Sequence, residues 1–204
     1  MLSYLRLVGI DDGFFPPHYK ELKLRTFLVG TLFRGRVPLD VSVGSVTVDG
    51  DDGTDEALRL LKALGGADVV FLDGVTVAGF NVVDPEALLG LSNSVVVVYK
   101  FEPALERIEG ALRRHFADWE WRYGVIAKAY RRSRLLETKW RSMRVAAFGS
   151  VELDVPALIS SLQVVSPMPE PLRVSDLIAS ALSRDDLLLQ KLCGDSAKHG
   201  PLQK

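Results

Sequence analysis

At 204 residues, 48% of them apolar, the chain is long enough to bury one sizeable core and too short for two full domains. Its longest apolar runs, such as SVVVVY at 94–99, are strand-length and far short of the roughly 20 residues of a membrane helix. The formal net charge of -1 excludes a uniformly basic or acidic protein, and the lone Cys193 excludes an internal disulfide or a cysteine-rich zinc site.

Three segments rich in Val, Leu, Thr and Phe, bounded by Gly and Pro, predict a meander of strands: LRLVGI (5–10), KLRTFLVGTLFRG (23–35) and VPLDVSVGSVTVDG (37–50). TDEALRLLKAL (54–64) has helical apolar spacing and acids in its first turn, so a capped amphipathic helix is expected. DVVFLDG (68–74) and SVVVVYK (94–100) read as strands buried on both faces, with a helix begun by Asp84 and Pro85 between them. From residue 54 onward this alternation implies right-handed parallel crossovers.

Two further helices are predicted over 104–116 and 118–131. Phe116, Trp119, Tyr123 and Ile126 recur there at helical spacing, a pattern that fits core better than a base-stacking platform. TKWRSMRVAAFG (138–149) reads as a strand or hairpin, and helices follow over 155–163 and 173–184. The expected architecture is an α/β, RNase H-like mixed sheet: a three-stranded antiparallel meander, then parallel strands, flanked by helices. Residues 1–190 are expected to form a single domain and 191–204 a flexible tail. The start MLSYLRLVGIDDG has no proper apolar export segment or small-residue cleavage site, so a cytoplasmic protein is expected. With two Asn, three Gln and one Cys, the composition is depleted in heat-labile side chains, as in thermophiles.

Charge is unevenly distributed: residues 40–86 hold ten acids against two bases, and residues 107–144 hold eleven bases against four acids. Either run is accounted for by solvated surface; the functional alternative is an acidic metal-holding pocket beside a basic platform for polyanions. Asp11 and Asp12 follow the first strand, Asp73 ends the buried strand VVFLD, and Asp49, Asp51 and Asp52 cluster in VTVDGDDG. Asp before Gly is ordinary turn chemistry, and Asp52 also suits a helix cap. Carboxylates collected at one sheet edge repel one another and favour a hard cation, Mg²⁺ or Mn²⁺. His18, His115 and His199 are scattered and form no zinc pattern.

The segments GIDDGFF, VDGDDGTDEAL, VVFLDGVTVAGFNVVD, VVVVYK and PEPLRVSDLIASAL together resemble the archaeal DUF99 (UPF0215) proteins over most of residues 5–184. That family is similar in turn to endonuclease V, an RNase H-like enzyme that cuts DNA or RNA near deaminated bases with Mg²⁺. The resemblance implies a metal-dependent endonuclease acting on nucleic acid, DNA more than RNA, near bases such as deoxyuridine. The alternative is a catalytically inactive nucleic-acid-binding protein on the same fold. Residue by residue, it lays the first catalytic aspartate on Asp11, the strand-four aspartate on Asp73, the intervening glutamate on Asp52, the strand-end lysine on Lys100 and the metal-site histidine on Asp176. The metal set so implied is Asp11, Asp52, Asp73 and Asp176. The wedge sequence PYIP is replaced by SVGS at 42–45. Arg131, Arg132 and Arg134, in the densest part of the basic segment, are the candidate nucleic-acid contacts.

Overall fold

The computed structural model describes residues 2–150 and 153–185, together with 188 and 191. The expected tail lies outside the described residues from 192 onward. Seven strands form the main sheet: β1 (Arg6–Asp12), β2 (Arg25–Arg34), β3 (Val37–Thr47), β4 (Ala67–Asp73), β7 (Ser92–Tyr99), β8 (Arg134–Leu136) and β9 (Met143–Gly149), in spatial order β3-β2-β1-β4-β7-β9-β8. The meander β1-β2-β3 is antiparallel, and β1, β4 and β7 run parallel. Strand β9 is antiparallel to β7, a departure from the all-parallel second half. The chain leaves β7 through the helices α3 (Leu105–His115) and α4 (Trp119–Arg132), enters the short β8 and doubles back as a hairpin, which reverses β9.

Alternation along each strand divides the core between two faces. Val8, Ile10, Val70, Leu72, Val95 and Val97 pack beneath α2 (Gly53–Ala63), α3 and α4, where Leu60, Leu61, Leu112 and Ile126 are buried. Leu7, Val69, Phe71, Val96 and Val98 pack beneath α5 (Val155–Leu162) and α6 (Glu170–Ser183), around Leu158, Ile159, Leu162 and Leu172. Phe116, Trp119, Tyr123 and Ile126 all pack against the first of these cores, as their spacing suggests.

Several elements differ from expectation. The segment 84–91 forms only a 3₁₀ turn, Ala87–Gly90, because Leu88 is drawn into the core and β7 begins almost at once. Helix α6 starts at Glu170, ahead of the expected 173, since Pro171 lies in the first turn where a missing N–H costs nothing. A small helix α1 (His18–Leu22) and the hairpin β5 (Thr76–Val77) and β6 (Asn81–Val82) had no periodic signature. The hairpin turns on Ala78 and Gly79, both at positive φ, as a tight two-stranded connection demands.

Candidate active site

Strand parity places the acids. On β1 the sequence Leu7, Gly9, Asp11 faces α6, and on β4 Val69, Phe71, Asp73 does the same. The parallel register pairs Leu7 with Val69 and Gly9 with Phe71, and the same offset carried onward sets Asp11 beside Asp73. Asp73 pairs in turn with Val98 on β7, so Lys100, two residues on, shares that face just past the strand end. Asp11 and Asp73 therefore stand side by side at the carboxyl ends of adjacent parallel strands, where open α/β sheets build their sites.

Helix α6 supplies the remaining acid, Asp176, and glycine permits its approach. A Cβ on Gly9 would lie 2.3 Å from the backbone of Pro171, so only glycine lets α6 sit directly on β1. A buried latch then fixes the helix: Ser175 Oγ donates to Gly9 O at 2.7 Å, and Thr31 Oγ1 donates to Pro171 O at 2.7 Å. This brings Asp176 to the rim of a cavity of about 250 Å³ that Asp11, Lys100, Arg141, Arg173 and Leu172 also line. Asp176 accepts a hydrogen bond from Ser180 Oγ, and Arg173 is held by a bidentate pair to Glu170.

The electrostatics follow from this crowding. Burial, then the charges of Asp73 and Asp12, push the Asp11 carboxyl well above the usual range, with Lys100 opposing. Asp73 is also raised, chiefly by burial, although its ion pair with Lys100 pulls it back. Burial lowers Lys100, but the charge and hydrogen bond of Asp73 outweigh it and leave the ammonium raised. Among the described residues Asp11 has no ion-pair partner; its Oδ1 accepts only the backbone N–H of Asp12.

The adjacent aspartates divide their roles by parity. Asp12 points to the opposite face, where its Oδ2 accepts Ala78 N–H at 2.8 Å. Burial nonetheless lifts its pKa to about 6, with the charges of Asp73 and Asp176 adding to the effect. Sequence reasoning assigned Asp12 no role, and it missed Arg141, whose guanidinium lines the cavity and acts on Asp73. The only available signal for Arg141 was its place in the basic segment.

Asp52 stands apart from this group, which corrects the expectation that it joins Asp11 and Asp73. Its Oδ1 accepts from Thr47 N and Asn81 Nδ2, and its Oδ2 accepts from Arg25 Nη1 and Thr47 Oγ1. Four donors occupy the lone-pair directions of a carboxylate, and Arg25, at 3.0 Å, neutralises its charge. Asp52 thus ties β2 and β3 to the start of α2 and has nothing left for a cation.

The donor set of Asp11, Asp73 and Asp176, all oxygen and mutually repelling, fits a hard divalent cation in chemistry. Among the described residues, however, no three acidic, His or Cys side chains are arranged to hold a metal. The positive charge at Asp73 is that of Lys100.

The basic segment is not one platform. Arg122 is 4% exposed, donates to the carbonyls of Gly50 and Phe80, and pairs with Asp118. Lys128 pairs with Glu86, and Arg113 with Glu109. Arg131, Arg132 and Arg134 lie away from the carboxylates, along a groove of about 830 Å³ beside the edge strand β8.

A mixed sheet with an antiparallel meander leading into parallel strands, helices on both faces and acids at the carboxyl edge defines an RNase H-like α/β protein. Endonuclease V shares that fold: the Ciona intestinalis enzyme, solved with a 24-mer DNA containing an inosine followed by a ribo-adenosine, superposes with a TM-score of 0.54 at 14% identity, covering 91% of this chain and 87% of that one. Human endonuclease V gives 0.53 at 16% identity, over 92% and 85%. A protein of unknown function from Archaeoglobus fulgidus gives 0.72 at 25% identity, over 88% and 98%. The chain belongs to the endonuclease dU family, whose model matches residues 3–183. Its relatives include the UPF0215 protein of Methanothermobacter thermautotrophicus, 38% identical over 89% of each chain. The UPF0215 protein of Thermococcus gammatolerans is 35% identical, over 87% of this chain and 92% of its own.

Proposed function

We propose that this protein is a divalent-cation-dependent endonuclease that hydrolyses a phosphodiester bond in DNA near a deaminated base such as deoxyuridine. The observation that carries the reading is the in-register pair Asp11 and Asp73 on adjacent parallel strands, with Asp176 delivered beside them by α6, in a member of the endonuclease dU family. Asp11, Asp73 and Asp176 would hold Mg²⁺ or Mn²⁺, which when bound supplies Lewis-acid chemistry: a more acidic water and neutralisation of charge developing on phosphate. Lys100 presents a point charge to a phosphate oxygen at the same edge, and Arg141 extends that positive wall. Asp52 is left out of the reacting group.

One observation favours a second reading, a nucleic-acid-binding protein without turnover: the three carboxylates are not arranged in metal-holding geometry. Incubating the purified chain with Mg²⁺, Mn²⁺ or EDTA and with uracil-containing, hypoxanthine-containing and unmodified DNA and RNA separates the two. Cation-dependent cleavage of the uracil strand, absent from Asp73→Asn, is the expected result. Binding without cleavage under every cation condition would overturn the catalytic reading in favour of the second.

A further inference from the structure

We infer that the groove beside β8 is a binding site for an unpaired stretch of nucleic acid, with Arg131 and Arg134 on its phosphates and Leu135 against its bases. The inference rests on the nucleic-acid reading above and gives it a substrate form. The groove, about 830 Å³, is lined by Arg131, Arg132 and Arg134 together with Leu135, Val145 and Pro156. Its chemistry is mixed. Leu135, on the edge strand, is 62% exposed where it lines the groove. A duplex offers its phosphates and base edges but not its base faces, which are stacked on one another. An unpaired strand offers both an anionic backbone and apolar base faces, and a basic groove with an apolar wall matches both.

The three arginines differ in availability. Arg132 donates to Ala147 O and lies over the Phe148 ring at 5.0 Å, so it holds the wall in place. Arg131 and Arg134 are exposed and have no hydrogen-bond or ion-pair partner among the described residues. The groove also lies on the correct side of the sheet. Val145 belongs to the α5–α6 core that flanks the carboxylates, and β9 runs from Met143, at the catalytic edge, to Ala147 in the groove wall. The four steps from Met143 to Ala147 span about 13 Å at roughly 3.3 Å each, with Arg141 at the near end. Positive charge thus continues from Lys100 through Arg141 toward the groove, a path along which one strand leaves the carboxylates.

The test uses the full chain in EDTA, so that binding is read without cleavage, with a fluorescein-labelled single-stranded oligothymidylate and the corresponding blunt duplex as probes. The single strand is expected to bind more tightly. Arg131→Ala/Arg134→Ala should reduce the slope of log affinity against log salt by roughly 1.4, at about 0.7 per phosphate of a single strand. Leu135→Ser should weaken binding without changing that slope, which marks a base contact. Lys62→Ala, which removes a charge from α2 on the opposite face, should leave the slope alone. A thermal melt checks each variant's fold. An unchanged slope in the folded double variant, or duplex bound more tightly than single strand, overturns the groove site. If the groove behaves as expected while the parent protein cleaves nothing with Mn²⁺, the groove stands and the catalytic reading falls. If cleavage is robust and the slope indifferent, the reverse holds.

Discussion

Replacing Asp11 by Asn isolates the strain that the carboxylate pair places on the fold. Asp11 is 8% exposed, and the strand register sets it next to Asp73. Residues directly abreast on neighbouring strands are about 4.8 Å apart, and two unit charges at that distance repel by about 3 kcal/mol at an effective dielectric near 20. Lys100 offsets part of this through its pair with Asp73, so removing the Asp11 charge should stabilise the protein by about 1–3 kcal/mol at pH 8 in EDTA. Asn retains an oxygen for the Asp12 N–H, and no hydrogen bond need be lost. Burial and the neighbouring acids raise the folded pKa of Asp11. Such a group contributes stability below its unfolded pKa, near 3.9, and loses it as pH rises through the folded value. The gap between variant and parent should therefore be small below about pH 4 and open as pH rises above it. With a urea m-value of about 2 kcal/mol per molar, the denaturation midpoint at pH 8 should rise by about 0.5–1.5 M. A variant less stable than its parent at pH 8 in EDTA would refute the reasoning and make Asp11 a structural acceptor.

Gly9→Ala should destabilise the fold by about 3 kcal/mol or more, because its Cβ meets the Pro171 backbone rather than a side chain that can yield. A melting temperature within a degree or two of the parent's would show that α6 can lift without cost. Asp52→Asn should lose about 1–3 kcal/mol, since Arg25 and Thr47 are left short of an acceptor, while retaining cleavage. Lost cleavage at unchanged stability would return Asp52 to the reacting group. Asp12, raised to about 6 in the fold, should contribute a fall in stability of about 3 kcal/mol as pH climbs from 4 to above 6. Urea midpoints across that range should flatten in Asp12→Asn, and equal pH dependence in both proteins would remove Asp12 from the account.

Local rules acting on the chain settled more than the boundaries of its elements. Period-two alternation and continuous apolar runs marked β1, β4 and β7, and an acid following each run of apolar residues marked Asp11 and Asp73 at strand ends. Because both acids continue the inward-facing series of their strands, parity alone places them on one face once the strands are known to be neighbours. That β1 and β4 are neighbours is a tertiary fact, and so is everything that depends on contacts between distant residues. Asp52 looks like a fourth carboxylate in sequence, but its charge is taken by Arg25 and its lone pairs by Asn81, partners 27 and 29 residues away. Asp176 reaches the site only because Gly9 and Pro171, far apart in the chain, meet without a side chain between them. The basic segment reads as one run, whereas folding buries Arg122, pairs Arg113 and Lys128, and leaves Arg131 and Arg134 facing a groove. Charge is written along the chain, but its availability depends on desolvation and on which opposite charge the fold brings within reach.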